Sequence, residues 1–325
     1  MNKRRKLLIA LSAAALVPVA HAQQGKVWRI GFLQGGARSP DGAPPAALRR
    51  SLTDFGYVEG RNVAYEGRWA EGQFARLTAL ATELVQLPVD IIVVTGWQAS
   101  EAVRRATSSI PVVSAFAGDA VASGLVGSLA HPGANLTGVS DMALELSAKR
   151  LELLKEAFPK ASRIAVLWNQ NDVGMTLRYR EIDTAARGLG VTVHALGVRE
   201  PDDFNAAFAA MTRERPDAMF MVADPLTTLN RKRVIEYAAS HGIPSMYENS
   251  FLVQEGGLMA YGPSVDDSFG RIAYYVDRIL KGAKASELPM EQPTRYYLFI
   301  NMKTAKLLGI AIPQSILLRA DKVID

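Results

Sequence analysis

Pro88-Val89-Asp90-Ile91-Ile92-Val93-Val94 is the stretch that decides the fold of this chain, and Thr95-Gly96 ends it. A near-continuous run of Val and Ile between two segments of helical periodicity is typical of a parallel strand that helices cover on both faces. A stretch with a similar beginning, Pro216-Asp217-Ala218-Met219-Phe220, occurs in the second half of the chain. Both stretches follow a helix, a glycine-containing turn, a strand and another helix. The sequence therefore predicts a βαβ-type unit that is used twice.

Outward from these two stretches, apolar runs alternate with segments of helical periodicity from Val27 onward. This alternation predicts an α/β fold with two doubly wound parallel-sheet lobes joined by a hinge, and the alternative is one large doubly wound sheet. Strands are expected near residues 28–33, 62–68, 90–94, 111–116, 163–168, 191–196, 218–222, 243–247 and 258–261. Helices are expected near residues 46–55, 74–87, 99–106, 146–158, 176–187, 230–240 and 265–281, with one more opened by Pro201.

Two glycine-rich stretches, 133–140 and 256–264, lie where the chain would cross between the lobes. The long helix predicted after the second stretch would return the chain to the first lobe. The expected boundaries are residues 27–138 plus 265–295 for lobe 1, residues 141–262 for lobe 2, and residues 296–325 for a C-terminal segment that could return to lobe 2.

The N-terminus has the pattern of a secretory signal peptide over residues 1–22. Four basic residues over 3–6 precede an apolar stretch over 7–19 and the small-residue sequence Ala20-His21-Ala22. A membrane anchor and an ordinary buried helix are the alternatives, but the apolar stretch is shorter than the roughly 20 residues that a membrane-spanning helix needs. We expect cleavage after Ala22 and export to a bacterial periplasm. The chain has no Cys, so no lipid anchor on an N-terminal Cys is expected.

The charge and motif content exclude several classes of function. The formal net charge is +5, but without the four basic residues near the N-terminus 33 basic residues face 32 acidic ones. A near-neutral mature chain gives no reason to expect a nucleic-acid partner. The phosphate-binding loop, the spaced G-x-G-x-x-G, the G-x-S-x-G and the H-E-x-x-H motifs are all missing from the sequence. We therefore predict no catalysis, no cofactor and no metal site.

Loops that follow the predicted strands are the candidate ligand site, because ligands of open α/β sheets bind at the carboxyl ends of the parallel strands. In a two-lobed protein these ends can face one another across a cleft that closes by hinge motion. The loops are rich in glycine, amide, hydroxyl and carboxylate groups, which suit a small polar ligand. The predicted ligand-binding residues are Gln34, Gly35, Thr95, Gly96, Trp97, Phe116, Asp119, Asn169, Asn171, Asp224, Tyr247 and Asn249.

These residue types predict a site for a zwitterion such as an amino acid. The backbone N–H groups of residues 95–97, at the start of a predicted helix, could bind a carboxylate without any basic side chain. Asp119, Asp224 or Glu248 could face an ammonium group. Trp97, Phe116 and Tyr247 could pack an apolar or aromatic side chain. The alternative is that these loop residues serve only turns and helix caps, and that Phe116 is a core residue.

Five segments carry a resemblance to a known family: residues 123–138 (SGLVGSLAHPGANLTG), 256–262 (GGLMAYG), 274–283 (YYVDRILKGA), 288–294 and 300–306. On these segments the chain resembles bacterial ABC-transporter substrate-binding proteins of the tryptophan/tyrosine-binding type, with a type I periplasmic-binding fold. The resemblance implies two lobes joined by three crossovers and delivery of the ligand to a membrane permease with its cytoplasmic ATPase. The sequence departs from many relatives at Gly118-Asp119-Ala120-Val121, where Ala120 replaces a proline.

The sequence as a whole predicts a periplasmic solute-binding component of an ABC importer, neither an enzyme nor membrane-embedded. The expected ligand is amino-acid-like, with an aromatic or branched side chain; aromatic carboxylates, purine-like compounds and small peptides stay open. The first alternative is a periplasmic sensor that docks on a receptor ectodomain. The second is an exported enzyme on the same scaffold.

Overall fold

The computed structural model describes residues 26–140 and 143–325, and the predicted signal peptide lies outside them. It confirms the predicted fold class, because the strands form two separate sheets with helices on both faces. No helix in the described ranges is long and apolar enough to cross a bilayer.

Lobe 1 is built on a five-stranded sheet of order β2-β1-β3-β4-β5, in which all pairs are parallel. Alternate residues of the deciding stretch face opposite sides of this sheet. Ile91 and Val93 pack in the cluster under one layer of helices, and Ile92 and Val94 pack in the cluster under the other. The strands are β1 (Trp28–Gln34), β2 (Val63–Trp69), β3 (Ile91–Thr95), β4 (Val112–Ala115) and β5 (Leu136–Val139). The covering helices are α1 (Ala46–Asp54), α2 (Leu77–Val85), α3 (Trp97–Ala106) and α10 (Val265–Leu280).

Lobe 2 is built on a seven-stranded sheet of order β12-β11-β10-β9-β8-β6-β7. Its pairs are parallel except that β11 runs antiparallel to β10. The strands are β6 (Arg163–Asn169), β7 (Thr192–Val198), β8 (Ala218–Met221), β9 (Ser245–Tyr247), β10 (Met259–Gly262), β11 (Tyr297–Asn301) and β12 (Lys322–Ile324). The helices are α4 (Ala143–Ala157), α5 (Val173–Gly188), α6 (Asp203–Arg213), α7 (Pro225–Leu229), α8 (Arg231–Ser240), α9 (Ser250–Gln254), α11 (Met302–Leu307) and α12 (Gln314–Leu317).

The chain passes between the two sheets three times: after β5, after β10 and before β11. The first and third passages lie side by side, since the Glu291 N–H donates to the carbonyl of Gly138 (2.9 Å) and the Ser140 N–H donates to the carbonyl of Glu291 (2.8 Å). The C-terminal segment enters lobe 2, where it adds β11 and β12 to the sheet.

One strand lies where the sequence predicts only a crossing. Residues Leu136–Val139 of the glycine-rich stretch form β5, the edge strand of lobe 1. Gly138 is required there because its φ is +143° and a Cβ on it would lie 2.0 Å from the carbonyl oxygen of Ser114. Gly138, within the stretch that is predicted as a crossing, is thus the residue that lets β5 approach β4 closely.

Gly138→Ala is expected to destabilise the protein, because the new Cβ collides with backbone atoms of Ser114 that cannot move freely. The cost should exceed about 2 kcal/mol, which lowers the thermal unfolding midpoint by several degrees. Gly127→Ala is the matched control, since a Cβ at Gly127 meets no atom within 4 Å. Equal midpoints for the two variants would contradict this account of β5.

Candidate functional site

A cavity of about 330 Å³ lies between the two lobes, at the carboxyl ends of the parallel strands. Lobe 1 contributes the loops that follow β1, β3 and β4, and lobe 2 contributes the loops that follow β6, β8 and β9. This is the edge at which open α/β sheets bind ligands. The cavity is therefore the candidate ligand site.

Aromatic rings form much of the apolar wall of the cavity. Phe116, directly after β4, has a φ of +55°, which is rare and strained for a bulky residue. Its ring meets the ring of Phe269 edge-on, with the centroids 5.5 Å apart. Trp97 lines the cavity at the start of α3, and its buried indole N–H has no acceptor among the described residues. The fourth ring of this wall is that of Phe251.

A buried ion cluster lies at the lobe 2 side of the cavity. Arg150 Nη1 donates to Glu248 Oε1 (2.9 Å), and Arg178 Nη1 donates to Glu248 Oε2 (2.7 Å). All three side chains are at most 4% exposed. Arg150 Nε also donates to the carbonyl of Tyr261 (2.6 Å), and the Ala223 N–H donates to Glu248 (3.3 Å). The cluster thus ties helices α4 and α5 to the ends of β8, β9 and β10.

Two buried aspartates face the same cavity, and each caps a helix. Asp224 is the N-cap of α7, where it accepts from the Thr227 N–H (2.8 Å), and it also accepts from Asn169 Nδ2 (2.6 Å). Asp172 is the N-cap of α5 and accepts from the Met175 N–H (3.1 Å).

Burial raises the pKa of both carboxyl groups above the ordinary value. For Asp172 the pKa rises to about 6, first through desolvation and second through the negative charge of Asp224, with Arg178 acting in the opposite direction. A cation that binds beside two desolvated carboxyl groups would stabilise their ionised form.

The charges that line the cavity favour a ligand with a positive group. Arg231 is neutralised by Glu255, with Arg231 Nε 2.7 Å from Glu255 Oε2. The other charged groups among the described lining residues are two guanidinium groups and three carboxyl groups. The carboxyl groups are those of Glu248, Asp172 and Asp224. Glu248 already accepts hydrogen bonds from both arginines, which leaves the two aspartates as the candidate acceptors for a ligand cation.

The structure brings seven of the twelve predicted residues to the cavity wall and places five elsewhere. The lining residues are Gln34, Thr95, Gly96, Trp97, Phe116, Asp224 and Asn249. The residues outside the wall are Gly35, Asp119, Asn169, Asn171 and Tyr247.

Each of these five has another contact. The Asp119 carboxylate accepts from the N–H groups of residues 121 and 122 and so caps a turn. Asn169 acts through Asp224, and its Oδ1 accepts from the Asn171 N–H (3.0 Å). Tyr247 is fully buried in an apolar cluster of lobe 2. Gly35 packs behind the wall, where a Cβ would lie 2.7 Å from Phe74.

Two features of the predicted zwitterion site need correction. The Gly96 N–H already donates to the carbonyl of Ala115 (2.9 Å), so the amides at the start of α3 that remain for a ligand begin at Trp97. The site also contains basic side chains, because Arg150 and Arg178 reach it from helices α4 and α5. Both arginines lie on helices, so a prediction confined to the strand-end loops missed them. Asp172 lies in the loop after β6 but is not among the predicted ligand-binding residues.

Comparison with known proteins gives consistent matches over most of the chain. Residues 46–324 match the family model described as ABC transporter substrate binding protein. The tyrosine-binding protein of Clostridioides difficile strain R20291 is 26% identical over 261 residues, which cover 80% of this chain and 75% of that protein.

Two solved structures are also similar to the chain. They are a conserved domain protein from Vibrio cholerae (TM-score 0.85) and an ABC domain from Streptococcus pneumoniae in complex with L-Trp (TM-score 0.83). Each is 26% identical, and each match covers 92% of this chain and 100% of the other. These matches confirm the resemblance predicted from the sequence.

Asp172→Asn is expected to stabilise the ligand-free protein at neutral pH. The folded-state pKa of about 6 lies above the ordinary value of 3.8, so ionisation of Asp172 opposes folding above about pH 6. At pH 8 the variant should gain on the order of 2 kcal/mol in the free energy of unfolding. This gain should shrink as the pH falls from 6 toward 4, because the folded wild-type protein then binds the proton and the unfolded chain, with the ordinary pKa of 3.8, begins to bind it. Asparagine also retains the helix cap.

The measurement is chemical unfolding of wild-type and variant protein between pH 4 and pH 8, after ligand has been removed by unfolding and refolding. Asp119→Asn, which changes a turn-capping aspartate outside the cavity, is the control and should show no such pH-dependent gain. If Asp172→Asn is less stable than wild type by the same amount at every pH, ionisation of the buried Asp172 carboxyl group does not carry the cost described here.

Proposed function

Since this chain belongs to the family of ABC transporter substrate-binding proteins, we propose that it captures an amino acid with an aromatic or branched side chain in the cavity between its lobes. Members of this family bind solutes for transport, so the chain is a binding protein and not an enzyme. The observation that carries the proposed ligand class is the pairing of two buried aspartates with a wall of aromatic rings in one cavity.

The ligand ammonium group would lie between Asp172 and Asp224. A positive group there would offset the desolvation of both carboxylates. Asn169 fixes the Asp224 carboxylate from behind through a hydrogen bond of 2.6 Å, which leaves the orientation of Asp224 independent of the ligand.

The ligand carboxylate would lie against the first turn of α3. The N–H groups of Trp97 and Gln98 open this ten-residue helix and have no acceptor within it. The indole N–H of Trp97 offers a further donor. The side chain would then pack between the rings of Phe116 and Phe251, where edge-on or offset contacts favour aromatic partners.

Two relatives support this ligand class. The protein from Clostridioides difficile is named for tyrosine binding, and the structure from Streptococcus pneumoniae contains L-Trp. We extend the proposal to the transport step: the closed, ligand-bound form delivers the amino acid from the periplasm to a permease with its cytoplasmic ATPase. Closure stabilised by contacts from the second lobe is the general mechanism for such hinge proteins.

A thermal-shift screen tests the ligand class. Protein that has been unfolded and refolded to remove ligand is heated with the amino acids, aromatic acids, nucleosides and sugars. A ligand at about 100 times its Kd stabilises the native state by roughly 2.7 kcal/mol. We expect tyrosine, tryptophan or phenylalanine to raise the unfolding midpoint by several degrees.

Asp224→Asn is expected to weaken amino-acid binding by roughly tenfold or more, because a charge-assisted hydrogen bond to the ammonium group becomes a neutral one. Calorimetric titration measures the loss, and Asp119→Asn is the control with an unchanged Kd. If Asp224→Asn binds as tightly as wild type, or if only uncharged ligands shift the midpoint, the proposed ligand class is wrong.

A further inference from the structure

One aromatic side chain of lobe 1 packs on lobe 2 without lining the cavity. Phe74 lies just after the turn that follows β2, and it contacts both the lobe 1 cluster under α2 and α3 and the lobe 2 cluster that includes Leu226 of α7. It is half-buried and is not among the residues of the cavity wall.

Two glycines let this contact form. A Cβ on Gly35 would lie 2.7 Å from Cε1 of Phe74 and 3.3 Å from Cγ of Pro225. A Cβ on Gly72, whose φ is +82°, would lie 2.8 Å from Cδ1 of Leu229. The backbone of lobe 1 thus approaches α7 of lobe 2 more closely than any larger residue at these positions would allow. We call Gly72, Phe74, Pro225 and Leu229 the latch.

The latch shares a helix with the ligand site. Asp224, the proposed partner of the ligand ammonium group, is the N-cap of α7, and Pro225 follows it at the first helical position. A capping box with Thr227 fixes Asp224 to the helix. Pro225 and Leu229, the α7 residues that meet lobe 1, also line the cavity. A five-residue helix held at both its cap and these two residues moves as one piece, so the position of Asp224 and the contact of α7 with lobe 1 depend on each other.

We propose that Phe74 is an affinity-determining residue that acts through the closed conformation and not through contact with the ligand. This inference rests on the proposed capture of an amino acid by closure. Apparent affinity scales with the fraction of protein in the closed form, and a contact between the lobes that hinge opening would break raises that fraction. The latch therefore slows release of the ligand, while capture by the open form does not depend on it.

Stopped-flow fluorescence with L-tyrosine and with L-tryptophan tests the proposal on three variants. Phe74→Ala should raise the dissociation rate by roughly tenfold, the effect of losing a half-buried ring contact, and leave the association rate within about threefold of wild type. Phe74→Leu, which keeps an apolar contact, should restore most of the slow release. Phe55→Ala removes a ring of lobe 1 that is 40% exposed and outside the latch, and it should leave both rates unchanged.

A distance measurement separates failure of the latch from failure of the proposed ligand. The chain has no Cys, so two introduced cysteines at exposed Thr78 and Glu236 place spin labels on lobe 1 and lobe 2 without other reaction. Phe74→Ala should shift the label-to-label distances toward longer values than in wild type, and Phe55→Ala should not.

If wild-type protein binds neither amino acid, the proposed ligand is wrong, and the spin-label comparison alone then decides on the latch. The latch proposal is overturned if Phe74→Ala and Phe55→Ala give the same distances. It is also overturned if Phe74→Ala slows association while leaving dissociation unchanged.

Discussion

The ion cluster of Arg150, Glu248 and Arg178 is the interaction on which the rest of the site depends. Removing one partner of a buried ion pair leaves an uncompensated charge and costs about 3–5 kcal/mol, so the cluster holds its elements in one arrangement. Arg178 fixes α5, whose N-cap supplies one cavity aspartate, and the Ala223 N–H ties the start of the α7 loop to the same glutamate. The contact from Arg150 to Tyr261 anchors the strand end from which the chain leaves lobe 2.

Burial makes it costly in free energy to ionise the two cavity aspartates, and a bound cation would lower that cost. Asp172 and Asp224 are both buried, burial raises the pKa of each, and the negative charge of Asp224 raises the pKa of Asp172 further. In the proposed complex an ammonium group between them would lower that cost, whereas a neutral ligand would not, so the same burial would give both affinity and selectivity for a cation. Asp224 also caps α7, which packs on Phe74 of lobe 1, so the proposed latch begins at a proposed ligand contact.

The sequence predicts the two lobes and most strands because the Val/Ile runs that parallel sheets require are continuous and are separated by helices. The sequence also predicts seven cavity residues, because the loops that follow parallel strands all lie at the same edge of their sheet. Arg150 and Arg178 are not in strand-end loops, so a different sequence signal is needed to predict them. Arg150 lies four residues from Leu146 and from Leu154, both buried, and Arg178 precedes the buried Ile182 by four, so each stands on an apolar helix face. Their common partner Glu248 is distant in sequence, and no local pattern pairs them.

We propose that the ligand places a positive group beside Asp172. Calorimetric titration at pH 6 in buffers of different ionisation enthalpy measures it most directly, since the slope of the observed enthalpy gives the number of protons exchanged on binding. A carboxyl group with a pKa of about 6 that acquires a cationic neighbour should release about 0.3–0.5 proton at pH 6 and almost none at pH 8. In Asp172→Asn the release should become smaller, because only Asp224 then remains to lose a proton to the ligand's positive charge. Proton uptake at pH 6, or a release that is unchanged in Asp172→Asn, would contradict the proposed position of the ligand.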